Sequence, residues 1–179
     1  ILGDVYYTHV SDKIGFVAQG DNSKAVNLSE SDSVGLETEL RWRWQALHGM
    51  LNLSLQRTAA LVAEDQSDAS LTVPEAYPTY MANAGVGAPI WDLPVGAFVE
   101  ARLVGTVPST QSNFVRNGQN EYELPATALL DATLASREWA VFEQAINAQL
   151  KVSNLLDAEY AMPGFGGVDY PGRGRTVWM

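Results

Sequence analysis

The chain has 179 residues, 46% of them hydrophobic, a formal net charge of −10 and no cysteine. Without thiols there is no disulfide framework and no thiolate metal site, which suits a bacterial envelope protein, and the acidic balance argues against nucleic acid, which calls for a basic patch. No apolar run approaches the roughly 20 residues of a transmembrane helix, so a helical membrane protein is excluded.

Alternating apolar and polar segments occur near residues 2–14, 33–45, 48–60, 79–90, 95–107, 125–137, 140–153 and 174–179, which predicts eight strands. The connections after the second, fourth and sixth are a few residues around Ala46, Leu93 and Trp139, whereas those after the first, third, fifth and seventh are long and polar. Short turns at one rim and long loops at the other are what an antiparallel transmembrane β-barrel needs.

The alternation assigns faces. In the second segment Val34, Leu36, Leu40, Trp42 and Trp44 point one way and Gly35, Glu37, Glu39, Arg41 and Arg43 the other. The third sets Leu47, Leu51, Leu53 and Leu55 against His48, Asn52, Ser54 and Gln56. The fifth sets Val95, Ala97, Val99, Ala101 and Leu103 against Glu100, Arg102 and Thr106, and the seventh Phe142, Ile146, Ala148, Leu150 and Val152 against Glu143, Asn147, Gln149 and Lys151. One face is lipid-like and one is wet. The predicted wet-face charges are therefore Glu37, Glu39, Arg41, Arg43, Glu100, Arg102, Glu143 and Lys151. They either form a cross-strand lattice that stabilises the wall or contact a plug or a passing ligand.

Trp42, Trp44, Trp91, Trp139 and Trp178 all fall on the short-turn side, as an aromatic girdle at a membrane boundary would. The competing reading makes them core residues of a soluble β-domain. At the ends, Ile1 opens directly into a strand, so the start reads as mature or cut, and the run from Gly174 to Met179 reads as about half a spanning strand.

Other chemistry is thin. His9 and His48 are isolated, without zinc-ligand spacing. Glu37 and Glu39 face Arg41 and Arg43 with no nucleophile beside them, so no catalytic residue and no enzyme is expected. Gly164, Gly166 and Gly167 lie outside any strand–turn–helix setting for a nucleotide. The stretch from Asp21 to Ser33 lacks EF-hand spacing, which leaves only a loose calcium site open; no cofactor and no metal is expected. Asn154 and Asp157 are placed to accept backbone hydrogen bonds in a tight turn, with Leu155 and Leu156 seating the loop base on the wall.

The run Val152-Ser153-Asn154-Leu155-Leu156-Asp157-Ala158-Glu159-Tyr160, followed by Pro171-Gly172-Arg173-Gly174-Arg175-Thr176-Val177, resembles the end of TonB-dependent outer-membrane receptors. There the penultimate strand runs into an Asn-Leu-(Leu/Phe)-Asp-x-x-Tyr motif and the last opens with Pro-Gly-Arg-Thr or a close variant. On this resemblance the motif residues are Asn154, Leu155, Asp157, Tyr160, Gly174, Arg175 and Thr176. Val5-Tyr6-Tyr7-Thr8 with Asp12-Lys13-Ile14, and Ser33-Val34-Gly35-Leu36-Glu37-Thr38-Glu39, resemble strand ends and starts of the same barrel. The chain departs from the pattern in its doubled Gly-Arg, in ending at Met179 without a terminal aromatic, and in lacking the family's plug domain and TonB-contacting segment.

The resemblance implies that residues 1–179 are the C-terminal portion of a barrel of about 22 strands, with short periplasmic turns and long extracellular loops. It further implies TonB-energised uptake of a scarce nutrient, such as a ferric siderophore, cobalamin, haem or a carbohydrate, in the bacterial outer membrane. The implied partners are membrane lipid, the small ligand, and the TonB complex through parts of the receptor outside this chain. Ligand-facing loops would be those around Asp21–Ser31, Leu61–Tyr77, Pro108–Tyr122 and Ala158–Gly172, with Phe114, Arg116, Tyr122, Tyr160, Phe165 and Tyr170 as candidate contacts. Two other classes stay open. One is a self-contained eight-stranded barrel with a structural or adhesive role, and the other is a soluble secreted β-sandwich acting as a binding module.

Overall fold

The structure, a computed structural model, describes residues 1–19, 22–62, 77–109, 113, 115–116, 123–136, 139–141, 144–164 and 168–179. A two-residue period makes each strand a two-faced ribbon whose backbone donors and acceptors need partners at its edges. In chain order the strands are β1 (Leu2–Gln19), β2 (Asn22–Trp44), β3 (Leu47–Val62), β4 (Tyr80–Pro89), β5 (Val95–Val104), β6 (Val107–Pro108), β7 (Glu123–Leu124) and β8 (Thr127–Ser136). They continue with β9 (Trp139–Val141), β10 (Gln144–Ile146), β11 (Gln149–Ser153), β12 (Ala161–Met162), β13 (Tyr170–Pro171) and β14 (Thr176–Trp178). Eight of them form one antiparallel sheet in the order β1-β2-β3-β4-β5-β8-β11-β14, and β6–β7, β9–β10 and β12–β13 pair separately within connections.

The register carries the face assignment across the whole sheet. Leu40 lies opposite Leu51, then Ala84, Ala101 and Leu130 follow in one row. A second row, nearer the short turns, runs Trp42, Gly49, Val86, Val99, Ala132, Val152 and Val177. This apolar face is not covered by protein. Leu51 and Leu55 are 45% and 40% exposed, and among the described residues the buried apolar side chains are Val107 and Leu124, both in a connection. A soluble sandwich would bury the Leu51 and Leu55 face, so that class is overturned. Among the described residues β1 pairs with β2 alone and β14 with β11 alone, so the sheet is an open sector rather than a self-contained eight-stranded barrel.

Three expectations change. The polar stretch after the first segment is strand, not loop: β1 and β2 stay paired out to Gln19 and Asn22, and Leu28–Ser33 of β2 is also paired with Thr58–Val62 of β3. Partners on both sides satisfy its backbone, and that outweighs its Ser-, Asn- and Asp-rich composition. The seventh segment is interrupted. Ser136 N–H donates to the Ala148 carbonyl at 2.8 Å and its Oγ accepts from Ala148 N–H at 2.7 Å, which closes the neck of a separate β9–β10 hairpin. Of that segment's predicted apolar face, Leu150 and Val152 remain in the sheet, while Phe142 and Glu143 lie outside the described residues. Finally, Trp178 lies opposite Lys151 on the wet face, so it does not join Trp42 and Trp44 on the apolar one.

Beyond the apolar band, Asp32 accepts hydrogen bonds from Tyr7 Oη at 2.5 Å and pairs with His9 Nδ1 at 2.9 Å. The Tyr7 hydroxyl first, and His9 second, hold the Asp32 carboxyl below the usual carboxylate range. A depressed carboxyl stabilises the paired state above its unfolded value of about 3.9, and that contribution is lost as pH falls through the lower folded value. Protection factors of amides in β1 and β2 near Tyr7 and Asp32, taken relative to the intrinsic exchange rate at each pH, are therefore expected to fall as pH drops below about 4, and Asp32→Asn to flatten that dependence.

The apolar band makes a second prediction. In the full-length protein in lipid, Leu53→Arg at its centre should lower unfolding free energy by about 2–4 kcal/mol. Its chain neighbour on the opposite face, Ser54→Arg, should change it by no more than about 0.5 kcal/mol in the same urea titration.

Candidate functional site

The wet face is read row by row from the same register. Asp4, Glu37 and Ser54 share one row; Glu39, Asn52, Asn83 and Arg102 the next; Arg41, Met50, Gly85, Glu100 and Asp131 the next. Nearest the short turns come Arg43, His48, Gly87, Phe98, Thr133, Lys151 and Trp178. Carboxylates thus gather toward the long loops and cations toward the short turns. Asp4, Glu37, Glu39, Asn52, Ser54 and Asn83 line a concavity of about 550 Å³. Within it the Oδ1 atoms of Asn52 and Asn83 are buried without a hydrogen-bond partner. In the last row Gly87 has no side chain because the ring of His48 occupies that space: a Cβ there would come within 2.5 Å of His48 Nε2. The His48 ring stacks with Phe98 across it at 6.0 Å.

The predicted wet-face charges are not all equivalent. Arg41 pairs with Glu39 along its own strand. Arg102 and Lys151 converge on Asp131, at 3.7 Å and 3.5 Å from Oδ2. Glu37, Arg43 and Glu100 make no ion pair among the described residues, and Glu143 lies outside them. Asp131 was missed by sequence reasoning, yet its side chain is only 11% exposed and its Oδ1 accepts the N–H of Asn154 at 2.9 Å. Glu100 stands directly opposite it, so the two cations offset both a like-charge pair and the cost of burying a carboxylate. The signal was present: Asp131 is the one charged residue in Thr127–Ser136.

Asn154 couples this wall to the loop above. Its φ of 53° is left-handed, a conformation Asn tolerates, and the residue is buried. Its Oδ1 accepts Ala158 N–H at 2.9 Å, while Nδ2 donates to the carbonyls of Ala158 at 2.9 Å and Arg173 at 3.1 Å. Leu155 N–H donates to the Leu130 carbonyl at 2.7 Å. Asp157, also left-handed, accepts Arg175 N–H at 2.7 Å, with the Arg175 guanidinium 3.8 Å away. Of the doubled Gly-Arg, the second Arg is therefore the one beside Asp157, while the Arg173 guanidinium lies 5.9 Å over Trp178. Tyr160 covers Gly172, whose N–H donates to the Tyr160 carbonyl, and Thr176 Oγ1 donates to the carbonyl of Gly174. Leu156 does not seat the loop base: it is 69% exposed, and Leu155 37%.

Of the candidate ligand contacts, Tyr160 is half-buried in this turn, Tyr170 is exposed on β13, and Phe114, Tyr122 and Phe165 lie outside the described residues. The Arg116 guanidinium is engaged by Asp169, a partner 53 residues away that no local pattern indicated.

Asn154→Ala removes three side-chain hydrogen bonds at a buried left-handed position and is expected to lower unfolding free energy by about 2–4 kcal/mol. Asp157→Ala, at a more exposed site, should cost about 1 kcal/mol. Urea unfolding of the full-length protein in lipid checks the order; equal effects would show that the Asn154 network contributes little.

Comparison with known proteins places these features. No curated protein sequence matches the chain. Among solved structures it is similar to the ferric yersiniabactin uptake receptor FyuA from Yersinia pestis, at 23% identity and a TM-score of 0.65, over 98% of this chain and 26% of that one. It is also similar to the closed form of the ferric-catecholate import receptor Fiu from E. coli K12, at 17% identity and a TM-score of 0.71, over 98% of this chain and 24% of that one. The FrpB iron transporter from Neisseria meningitidis matches at 17% identity and a TM-score of 0.68, over 98% of this chain and 27% of that one. The chain thus spans about a quarter of the length of the receptors it matches. Residues 2–155 match the family described as TonB dependent receptor-like, beta-barrel, and the chain belongs to that family of bacterial outer-membrane proteins, its open sheet being a sector of the family's barrel.

Proposed function

We propose that residues 1–179 form the C-terminal part of the barrel of a receptor that imports a scarce nutrient across the bacterial outer membrane with energy from the TonB complex. The family match over residues 2–155 carries this reading. In this reading the plug and the TonB-contacting segment are supplied by the rest of the receptor. The wet wall, with carboxylates and cations paired within and across neighbouring strands, faces them and the passing nutrient. The long loops face outward and hold ligand-contact candidates Phe114, Arg116, Tyr122, Tyr160, Phe165 and Tyr170.

A ferric siderophore is the first ligand class to test, ahead of cobalamin, haem or a carbohydrate. The reason is that the similar receptors named above are described as taking up ferric yersiniabactin, ferric catecholate and iron. Deleting the gene in its own bacterium is expected to abolish uptake of radio-iron presented as siderophore complexes, and a protonophore should abolish the uptake that wild type shows. Unchanged iron uptake together with a growth defect on limiting cobalamin, haem or carbohydrate would move the ligand class. Uptake that survives the protonophore would defeat the energised-transport reading.

A further inference from the structure

The connection between β5 and β8 and the connection between β11 and β14 rise from the same rim, and a polar cluster joins them. From the first connection, Arg116 Nε donates to Asp169 Oδ2 and Asn113 Nδ2 donates to Asp169 Oδ1 at 2.8 Å. Asn113 Oδ1 also accepts the Arg116 N–H at 3.2 Å, so both donors are held by their own loop before they reach across. Both oxygens of one carboxylate are thus taken by two residues of the other loop. Exposed ion pairs between loops are screened and weak, but this one is not exposed: Asn113 is 1% accessible, and the Asp169 and Arg116 side chains are 11% and 20% accessible. Removing Asp169 while the loops stay packed would deprive the Arg116 guanidinium and the buried Asn113 amide of the carboxylate they share. The same connection contains the buried apolar pair Val107 and Leu124, from β6 and β7, which gives the clasp a firm base.

We propose that Asp169 is a positioning residue that locks these two loops into one body, so that the side chains of both meet an incoming ligand as a preformed rim. The proposal rests on the receptor reading above. It also reassigns Arg116, whose guanidinium holds Asp169 instead of reaching for the ligand. An anionic ligand that drew Arg116 away would leave Asp169 with a single amide donor.

The test uses the complete receptor in outer-membrane vesicles, with amide hydrogen exchange read without any ligand. Asp169→Ala is expected to raise exchange about tenfold or more in both segments, 105–124 and 158–172, while β2 and β3 stay unchanged. Arg116→Asp should do the same, and the exchanged pair Arg116→Asp with Asp169→Arg should restore protection in both loops. For uptake of radio-iron as its tris-catecholate complex, Asp169→Ala should raise the apparent KM about tenfold with the maximal rate held within about twofold. Exchange that rises only in the loop carrying the substitution overturns the proposal, as does an unchanged KM. Coupled exchange in a receptor whose wild type takes up no siderophore-bound iron would defeat the ferric-ligand reading and leave the clasp standing.

Discussion

Everything in this structure depends on the antiparallel backbone pairing of each strand with its neighbours in one sheet. In hydrocarbon no water can satisfy an orphaned N–H or C=O, so a wall of strands is tolerated only if each strand is paired along the length that faces lipid. The sheet meets this requirement with strands taken strictly in chain order, each adjacent to its predecessor in the wall. Its short turns bring successive strands back with little irregular backbone: Gln45 adopts a left-handed φ of 52° between β2 and β3, and Trp91 one of 39° between β4 and β5. Where the ladder is interrupted, at 137–148, the interruption lies at the short-turn rim and Ser136 caps it with both its N–H and its Oγ.

Once the ladder fixes the register, the period of two decides what each face can be. A row such as Leu40, Leu51, Ala84, Ala101 and Leu130 has no polar member, so the usual driving force of a buried core is transferred to contact with lipid. Specific three-dimensional information must then come from the other face. It does so through polar contacts: Asp131 holds Arg102 and Lys151 from the strands on either side of β8 and receives the Asn154 N–H from the turn above β11. That turn in turn holds Arg173 and Arg175 at the start of the last strand. A chain of charges and amides thus links four elements that share no apolar core.

The strand count, the turns at Ala46 and Leu93 and most of the face assignment were legible because they depend on local periodicity and composition. The short connection expected around Trp139 is instead the β9–β10 hairpin between β8 and β11, and the connection after the first strand is short where a long one was expected. What was not legible depended on neighbours. The stretch before Ser33 reads as loop by composition, and only the presence of β1 on one side and β3 on the other makes it strand. The run from Ile146 to Ser153 alternates, yet only Gln149–Ser153 joins the sheet, and Ala148 is instead met by both the backbone N–H and the Oγ of Ser136. Trp178 sits at the right height for a girdle but on the wrong face, a matter of one residue in register. Asn154 and Asp157 were visible as turn formers, whereas Asp131 could be recognised as a hub only once Arg102 and Lys151 were placed beside it.

The loops obey a different rule from the wall. Lipid faces the wall's apolar side chains, so exposed Leu and Val are no liability there, but a loop in water must bury something or remain loosely held. These loops bury little that is apolar: Val107 and Leu124 among the described residues, beside the polar side chains of Ser109 and Asn113. Among the described residues the loops are joined by directional polar contacts, which specify one arrangement more sharply than apolar contacts but fail abruptly when one partner is lost. Loops held in this way can be rigid and still be released by competition for a single carboxylate. An apolar loop core of similar size would yield only gradually, because its contacts are many, individually weak and without direction.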